Sequence, residues 1–175
     1  MKITNCISKI IIFSFVIFFL SIFWLGLKKD NNYDTKNIIG NKISNFQLPS
    51  IYSNKFISQE SLKKNKFTLI NFFASWCAPC RAEHQYLLNL SNKKKDIKIL
   101  GINFKDKKNN AISFLNELGD PYNFVAEDTD GKASILFGIY GIPESILINN
   151  ELVIIKKIVG PIDQKQYEEI LQIVQ

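Results

Sequence analysis

Two cysteines separated by two residues give the chain its strongest chemical signal. Cys77-Ala-Pro-Cys80 follows a nearly continuous apolar run, Phe67–Phe73, whose length and composition predict a strand covered on both faces. The cysteines should therefore open the next helix, where unpaired N–H groups and the helix dipole favour a thiolate. Pro79 is tolerated there, since a first turn loses no helical hydrogen bond. The spacing predicts a thiol pair that forms and breaks a disulfide.

Other uses of a Cys-x-x-Cys pair fit this chain less well. A purely structural disulfide would close a ring of only four residues and remove little entropy from the unfolded chain. Zinc normally takes four Cys or His ligands, and beyond the apolar N-terminal segment the chain has only Cys77, Cys80 and His84. A copper ion bound by the same three residues would lack a further ligand. We therefore expect no metal, and no cofactor beyond the redox-active Cys77–Cys80 disulfide.

The helix after the cysteines should have a core-facing stripe at offsets 0, 3, 4 and 7, formed by Glu83, Tyr86, Leu87 and Leu90. At about 100° per residue, Cys80 lies about 60° from Glu83 and Cys77 about 120°. This projection predicts an exposed Cys77 that attacks and a covered Cys80 that resolves. Two interpretations of Glu83 stay open. It is either a solvated carboxylate at the edge of the core or a buried one that relays a proton for Cys80.

The opposite side of this helix should face solvent, and we assign no function to His84, which lies there. Trp76, directly before the cysteines, is interpreted as a shield for them or a contact for a partner protein rather than as core alone.

The rest of the chain alternates between strand and helix patterns. The first elements after the cysteine helix are a strand at Ile97–Asn103 and a helix that reaches Leu118, with Gly119 as its cap. A turn at Asp128–Gly131 follows, and then a hairpin whose two strands are Ser145–Ile148 and Glu151–Val159. An amphipathic helix with Asp163 and Gln166 as a capping box closes the chain. This order predicts an α/β fold, a central mixed sheet with helices on both faces.

The N-terminus predicts a membrane anchor. Ile10–Leu27 is apolar apart from two serines and a glycine, and 18 residues give about 27 Å of helix, roughly the thickness of a bilayer's hydrocarbon core. A cleaved signal peptide is the alternative, but no small-residue cleavage site follows the run. We predict an anchor at 1–29, a polar tether at 30–42 and one domain at 43–175.

The charge of the chain does not suggest nucleic-acid binding. The net charge is +6, of which Lys2 and Lys9 before the apolar segment contribute two, leaving +4 for residues 28–175. A charge this small, spread along the chain, is typical of an ordinary solvated surface.

Several stretches resemble a known family. Asn71–Cys80 and the later Gly141-Ile-Pro143 resemble the thioredoxin superfamily. Within it, the cytochrome c biogenesis group called DsbE or CcmG is similar in three further stretches: Cys80–Leu88, Gly101–Asp106 and Gly138–Glu144. The resemblance covers roughly residues 40–175, and the N-terminal anchor fits the layout of the group.

The resemblance implies a three-layer thioredoxin-like fold with Pro143 in a cis-proline loop facing the disulfide. The backbone of Ile142 would then pair with a substrate chain, and Glu144 would add a carboxylate to the site. Leu115–Phe137 would be a helix-and-strand insertion of the group. Thioredoxins have a buried aspartate where this chain has Asn71, so any internal acid–base role would fall to Glu83, Glu144 or water.

The resemblance also implies a function. The domain would face the bacterial periplasm from a single-pass inner-membrane anchor; for its oligomeric state, which the sequence leaves open, we take a monomer as the default. There it would reduce the haem-binding cysteines of apocytochrome c, or their mixed disulfide with a maturation factor. A membrane electron donor of the DsbD or CcdA type would reduce it again. Two alternatives stay open: a periplasmic disulfide oxidase or isomerase of the same fold, and a non-catalytic module that holds apocytochrome c through Trp76, Pro143 and Glu144.

Overall fold

The computed structural model describes residues 2–27, 38–93 and 96–175, and the chain divides into two compact units, Met1–Asp34 and Thr35–Gln175. The first unit contains a single described helix, α1 (Lys2–Leu27). Its segment Ser8–Gly26 has 19 residues and a mean hydropathy of 2.3, so it is long and apolar enough to cross a membrane. The prediction of one N-terminal apolar helix is confirmed.

The second unit is built from seven strands and five helices in its described part. The strands are β1 (Gln47–Pro49), β2 (Phe56–Ser58), β3 (Phe67–Phe73), β4 (Ile97–Phe104), β5 (Phe124–Asp128), β6 (Glu144–Asn149) and β7 (Ile154–Val159). The helices are α2 (Gln59–Leu62), α3 (Ala78–Lys93), α4 (Lys108–Leu118), α5 (Lys132–Leu136) and α6 (Gln164–Ile173).

Five of the strands form one mixed sheet in the order β5-β4-β3-β6-β7, and β1 and β2 form a separate antiparallel pair. The central strand β3 runs parallel to β4 and antiparallel to β6. Its side chains are buried on both sides of the sheet, as its unbroken apolar sequence predicts. Leu69 and Phe73 join the core beneath α3, α4 and α6, whereas Ile70 and Phe72 join the core on the opposite face. The predicted three-layer α/β architecture is confirmed.

The folded domain begins earlier than the predicted boundary at residue 43. Gly40 N–H donates to the Ile154 carbonyl at 2.8 Å, and Ile154 N–H donates to the Asn41 carbonyl at 2.9 Å. Residues 38–42 are therefore paired with the chain at the start of β7 and are not part of a tether. Polar composition gave no sign of this backbone pairing. Residues 30–37 of the predicted tether lie outside the described residues.

The sequence correctly predicted the start of the last helix but not the start of the strand before it. The capping box of Asp163 and Gln166 opens α6 as predicted. The second hairpin strand, however, begins at Ile154 and not at Glu151. The Asn149 side chain accepts hydrogen bonds from the N–H groups of Glu151 and Val153, which holds residues 149–153 in a turn. Leu152 lies in the left-handed region, with φ of 66°, inside that turn.

Candidate active site

The two cysteines form a disulfide at the start of α3, with their Cα atoms 5.3 Å apart. Because α3 begins at Ala78, Cys77 occupies the N-cap position. The N–H of Cys80 donates to Cys77 Sγ at 3.1 Å, and the Cys77 carbonyl accepts from Arg81 N–H at 3.2 Å. Cys77 Sγ thus takes the place of the side-chain oxygen in an ordinary N-cap. After reduction, this N–H group and the helix dipole favour a thiolate at Cys77.

The exposure predicted for Cys77 is wrong for this disulfide form. Cys77 is 4% exposed and Cys80 is 2% exposed, so neither residue offers much surface to solvent. The prediction projected Cys77 onto a helix, yet Cys77 precedes the first helical residue and its side-chain direction does not follow the helical angle. The attacking role of Cys77 stays a prediction and rests on its N-cap position.

Glu83 is buried one turn beyond Cys80, with 1% of the residue exposed. Its Oε1 accepts from Asn71 Nδ2 at 2.8 Å, and its Oε2 accepts from Ile162 N–H at 2.8 Å. Burial raises the pKa of Glu83 to about 7, although both hydrogen bonds act to lower it. The interpretation of Glu83 as a solvated carboxylate is therefore wrong. Residues three apart on a helix are neighbours, and the role of Glu83 as a proton relay for Cys80 stays a prediction.

A buried polar network surrounds the amide of Asn71, which is entirely inaccessible to solvent. Tyr122 Oη donates to Asn71 Oδ1 at 2.8 Å. Asn71 Nδ2 donates to Ser145 Oγ at 3.0 Å as well as to Glu83. Asn71 and Ser145 are direct partners across β3 and β6. Sequence reasoning noted Asn71 only as a departure from thioredoxins, and it missed Tyr122 and Ser145.

Gly101 was the available sequence signal for Tyr122, since a glycine inside a strand often marks a close approach by another group. It pairs with Asn71 across β3 and β4. A Cβ atom at Gly101 would lie 2.9 Å from Tyr122 Cγ and 3.0 Å from Phe73 Cε1. The absence of a side chain at this position lets the Tyr122 ring lie against β4 and stack on Phe73, with ring centroids 4.9 Å apart.

The Ile142–Pro143 peptide bond is cis, as the resemblance implied. Ile142 is half-buried and packs against the core cluster that contains both cysteines. The Pro143 carbonyl accepts from Gly160 N–H at 3.1 Å, which ties this loop to the end of β7. The pairing of Ile142 with a substrate backbone stays a prediction.

Glu144 begins β6, and its side chain lies on the opposite face of the sheet from that of Ser145, the face away from Glu83. Its Oε1 accepts from the N–H groups of Tyr140 and Gly141 at 3.0 and 3.1 Å. Its Oε2 lies 2.9 Å from Lys157 Nζ. These contacts hold the loop that precedes Pro143, and a catalytic role for Glu144 stays a prediction.

The Redoxin family profile matches residues 38–171, which is most of the chain. The chain belongs to the redoxin family. Among curated relatives, the Escherichia coli K12 thiol:disulfide interchange protein DsbE is 34% identical over 169 residues, covering 92% of this chain and 90% of DsbE. The Rhizobium leguminosarum thiol:disulfide interchange protein CycY is 51% identical over 98 residues, which are 56% of this chain and 52% of CycY.

A solved structure agrees with this assignment. A Chlorobium tepidum protein provisionally named as thiol:disulfide interchange protein DsbE superposes with a TM-score of 0.67 at 26% identity. The superposition covers 77% of this chain and 93% of the Chlorobium protein. With its Cys77–Cys80 disulfide, this redoxin is a DsbE-type thiol–disulfide oxidoreductase.

Trp76 of this redoxin is 60% exposed beside the disulfide, and its Nε1 donates to the Lys105 carbonyl at 3.3 Å. Asp106 Oδ2 accepts from the N–H of Ser75 at 2.7 Å, which links the segment before the cysteines to the end of β4. Partial burial opposes ionisation of Asp106, but hydrogen bonds from Ser75, Asn103 and Lys107 keep the pKa of its carboxyl below the usual range. The role of the exposed Trp76 ring as a shield for the cysteines or a contact for a partner protein stays a prediction.

The prediction that His84 faces solvent is wrong, because the residue is only 3% exposed. Its ring meets Phe114 of α4 edge-on, with centroids 5.3 Å apart. Its Nε2 lies 2.8 Å from the Gly119 carbonyl, which can only accept, so Nε2 carries the hydrogen. Burial lowers the pKa of His84, which favours this neutral form. The periodicity of α3 alone could not show that α4 covers this side.

Within the described ranges, no group of three or more His, Cys, Asp or Glu side chains is placed to share a metal ion. The expectation that the protein needs no metal and no cofactor beyond its disulfide stays a prediction.

Proposed function

We propose that this chain is a membrane-anchored periplasmic reductase of cytochrome c assembly. Its substrate is the disulfide of the haem-binding Cys-x-x-Cys-His segment of apocytochrome c, or the mixed disulfide that this segment forms with a maturation factor. The single observation that carries the proposal is the placement of Cys77 Sγ at the N-cap of α3, where Cys80 N–H donates to it. The similarity to DsbE supports cytochrome c assembly as the pathway in which the protein acts.

The reaction begins from the reduced pair. The Cys77 thiolate attacks one sulfur of the substrate disulfide and forms a mixed disulfide, and the other substrate sulfur leaves as a thiolate and takes a proton. The Cys80 thiol then gives its proton to the Glu83 carboxylate and attacks Cys77 Sγ. The remaining substrate sulfur leaves and is protonated. The substrate ends as a dithiol, and its two electrons have come from Cys77 and Cys80, which now form the disulfide.

The pKa of Glu83 suits this transfer. A carboxyl that titrates near pH 7 can accept a proton from a thiol and release it again at the operating pH. With Glu83→Gln the proton would have no acceptor at this position. The pH–rate profile of that variant should therefore differ from that of the parent, and identical profiles would remove Glu83 from the mechanism.

The surface beside the disulfide suits a peptide substrate. Trp76 offers an exposed aromatic face, and Ile142 lies next to the cis Pro143 at the border of the cysteine cluster. The backbone of Ile142 would pair with the substrate chain, and Trp76 would cover the mixed disulfide. Glu144, bonded to the loop itself, would hold Pro143 in place.

The apolar helix α1 supports the anchored arrangement. The periplasm is oxidising, so a dithiol there needs a dedicated donor, for which a membrane protein of the DsbD or CcdA type is the proposed source. An anchor in the same membrane would raise the effective concentration of the domain near its donor and near the assembly machinery.

A trapping experiment tests the proposal. Cys80→Ser keeps the attacking thiol and removes the resolving one, so it should accumulate a mixed disulfide with an apocytochrome c segment. The same segment with both cysteines replaced by serine is the control. In cells, the Cys77→Ser/Cys80→Ser variant should abolish cytochrome c assembly. Assembly that continues with this variant would contradict the reductase and indicate a protein that only holds the apocytochrome.

A further inference from the structure

Among the described residues, the hydroxyl of Tyr122 is linked to Glu83 through the Asn71 side chain. Tyr122 Oη donates to Asn71 Oδ1 at 2.8 Å, and Asn71 Nδ2 donates to Glu83 Oε1 at 2.8 Å. The three residues belong to different parts of the fold: the segment between α4 and β5, the central strand β3, and α3. All three are buried, so water does not easily replace a lost partner.

We propose that Tyr122 is a positioning residue that fixes the orientation of the Asn71 amide and thereby sets how tightly Glu83 holds its proton. An asparagine amide can turn over and present either its oxygen or its nitrogen to a neighbour. Only one orientation lets it donate to a carboxylate at Glu83. A phenol that donates to Asn71 Oδ1 stabilises that orientation.

The phenol is suited to be a permanent donor. Burial raises the pKa of Tyr122 well above its usual value, and the negative charges of Glu83 and Asp120 add to the effect. Tyr122 therefore keeps its hydrogen throughout the range in which Glu83 titrates. Gly101 leaves the space that the ring occupies, since any Cβ there would meet it.

The other groups around Glu83 leave Asn71 as its main adjustable partner. Ile162 N–H, from the segment before α6, is a backbone donor with a fixed direction. Ser145 Oγ on β6 accepts a hydrogen bond from Asn71 Nδ2. The ionisable groups near this network are the Tyr122 phenol, Asp120 and Tyr52, whose charges act on that phenol, and, on the same helix as Glu83, the Cys80 thiol of the reduced form. The described contacts of Glu83 include no charged side chain.

The inference rests on the proposed function only where it treats Glu83 as the proton acceptor of Cys80. Its direct test is the pKa of Glu83 in the oxidised full-length chain in detergent. The ¹³C shift of labelled glutamate carboxyls would be followed against pH, with the Glu83 signal assigned from Glu83→Gln. Tyr122→Phe should raise the pKa of Glu83 by about half a unit or more, because the Asn71 donor is no longer held toward the carboxylate.

Tyr167→Phe is the matched control. Tyr167 lies in the same core cluster, and its hydroxyl is buried with no hydrogen-bond partner among the described residues. The Tyr167→Phe substitution should therefore leave the pKa of Glu83 unchanged. Equal values of this pKa in Tyr122→Phe, Tyr167→Phe and the parent would overturn the inference, as would a lower value in Tyr122→Phe.

A second variant tests the hydrogen bond from Asn71 to Glu83 if Tyr122→Phe does not fold. Asn71→Asp replaces the donating N–H with an oxygen and should raise the pKa of Glu83 further than Tyr122→Phe does. An unchanged pKa in Asn71→Asp would also overturn the inference. The rate of disulfide exchange against pH separates this inference from the proposed function. A raised pKa with an unmoved rate profile would support positioning by Tyr122 and contradict the proton relay by Glu83.

Discussion

Lys157 and Glu144 form an ion pair inside the protein, with Nζ 2.9 Å from Oε2 and both side chains only 2% exposed. Lys157 also donates to the Gly138 carbonyl at 2.6 Å, while Glu144 accepts from the N–H groups of Tyr140 and Gly141. The ion pair therefore holds the loop that leads to Pro143 through hydrogen bonds to Gly138, Tyr140 and Gly141. These contacts account for the burial of the Glu144 carboxylate without a role in proton transfer.

Removing the lysine should expose the cost of burying Glu144. Lys157→Met leaves the Glu144 carboxylate buried without its cation, and breaking such a pair costs about 3–5 kcal/mol. Lys156→Met is a matched control on the same strand, because the Lys156 ion pair with Glu169 is partly exposed and should contribute about 1 kcal/mol or less. Unfolding in denaturant measures the free energy of unfolding of both variants and of the parent. Equal losses of free energy of unfolding would contradict the role given to Lys157.

The raised pKa of Glu83 predicts how stability depends on pH. The folded chain holds this proton up to about pH 7, whereas the ordinary value for a glutamate is 4.5. Between these values the folded state binds more protons than the unfolded state, so stability falls as the pH rises. The loss should reach about 3 kcal/mol by pH 8, since each unit of pKa corresponds to about 1.4 kcal/mol.

The Glu83→Gln variant isolates this effect from the other carboxyl groups. Its free energy of unfolding should lack the fall between pH 4.5 and pH 8 that the parent shows. Denaturant titrations at pH 5, 6, 7 and 8 on the oxidised forms provide the comparison. Parallel curves for the two proteins would show that Glu83 ionises without penalty and is not buried as described.

Gly101 is predicted to tolerate no side chain. Gly101→Ala places a Cβ within 3 Å of the rigid Tyr122 ring, and such overpacking costs about 1–3 kcal/mol. Gly141→Ala is the control, since a Cβ at that position would have no neighbour within 4 Å. Thermal or denaturant unfolding of the two variants gives the comparison. A stable Gly101→Ala protein with an unmoved Tyr122 would contradict the packing described.

Sequence patterns predicted the features that are decided locally. The apolar run Phe67–Phe73, the N-cap position of Cys77 and the capping box of Asp163 depend on neighbours in the chain, and all three are as expected. His84 and Tyr122 depend on which distant segments pack over α3 and β4. No periodicity within one element carries that information, so the burial of His84 was missed and Tyr122 was overlooked.

Glu83 falls between these two cases. Its place on the core-facing stripe of α3 indicated burial, but a carboxylate at the start of a stripe could equally have faced water. Glu83 can be buried because its carboxylate accepts hydrogen bonds from Asn71 and Ile162. Asn71 lies 12 residues before Glu83 in the sequence, and Ile162 lies 79 residues after it. Such partners are brought together only by the completed sheet and by the segment that enters α6.

The apolar helix α1 predicts that the mature protein stays in the membrane. The full-length chain, produced in bacteria, should remain in the membrane pellet after an alkaline carbonate wash, because the 19-residue segment Ser8–Gly26 is long and apolar enough to span the hydrocarbon core. Intact mass of the purified protein should include the N-terminal segment. A mass that begins after Leu27, with the protein in the soluble fraction, would mean that the segment is a cleaved signal sequence.

The reduction potential of the Cys77–Cys80 pair tests the reductase most directly. The full-length protein in detergent would be equilibrated with thiol buffers of known potential, and the thiol and disulfide forms separated after alkylation. A reductase should have a value near that of thioredoxin, about −270 mV, and below the range of the isomerases near −180 mV. A value near −120 mV, as in DsbA, would contradict the proposed reductase, because the pair would then oxidise its partner proteins.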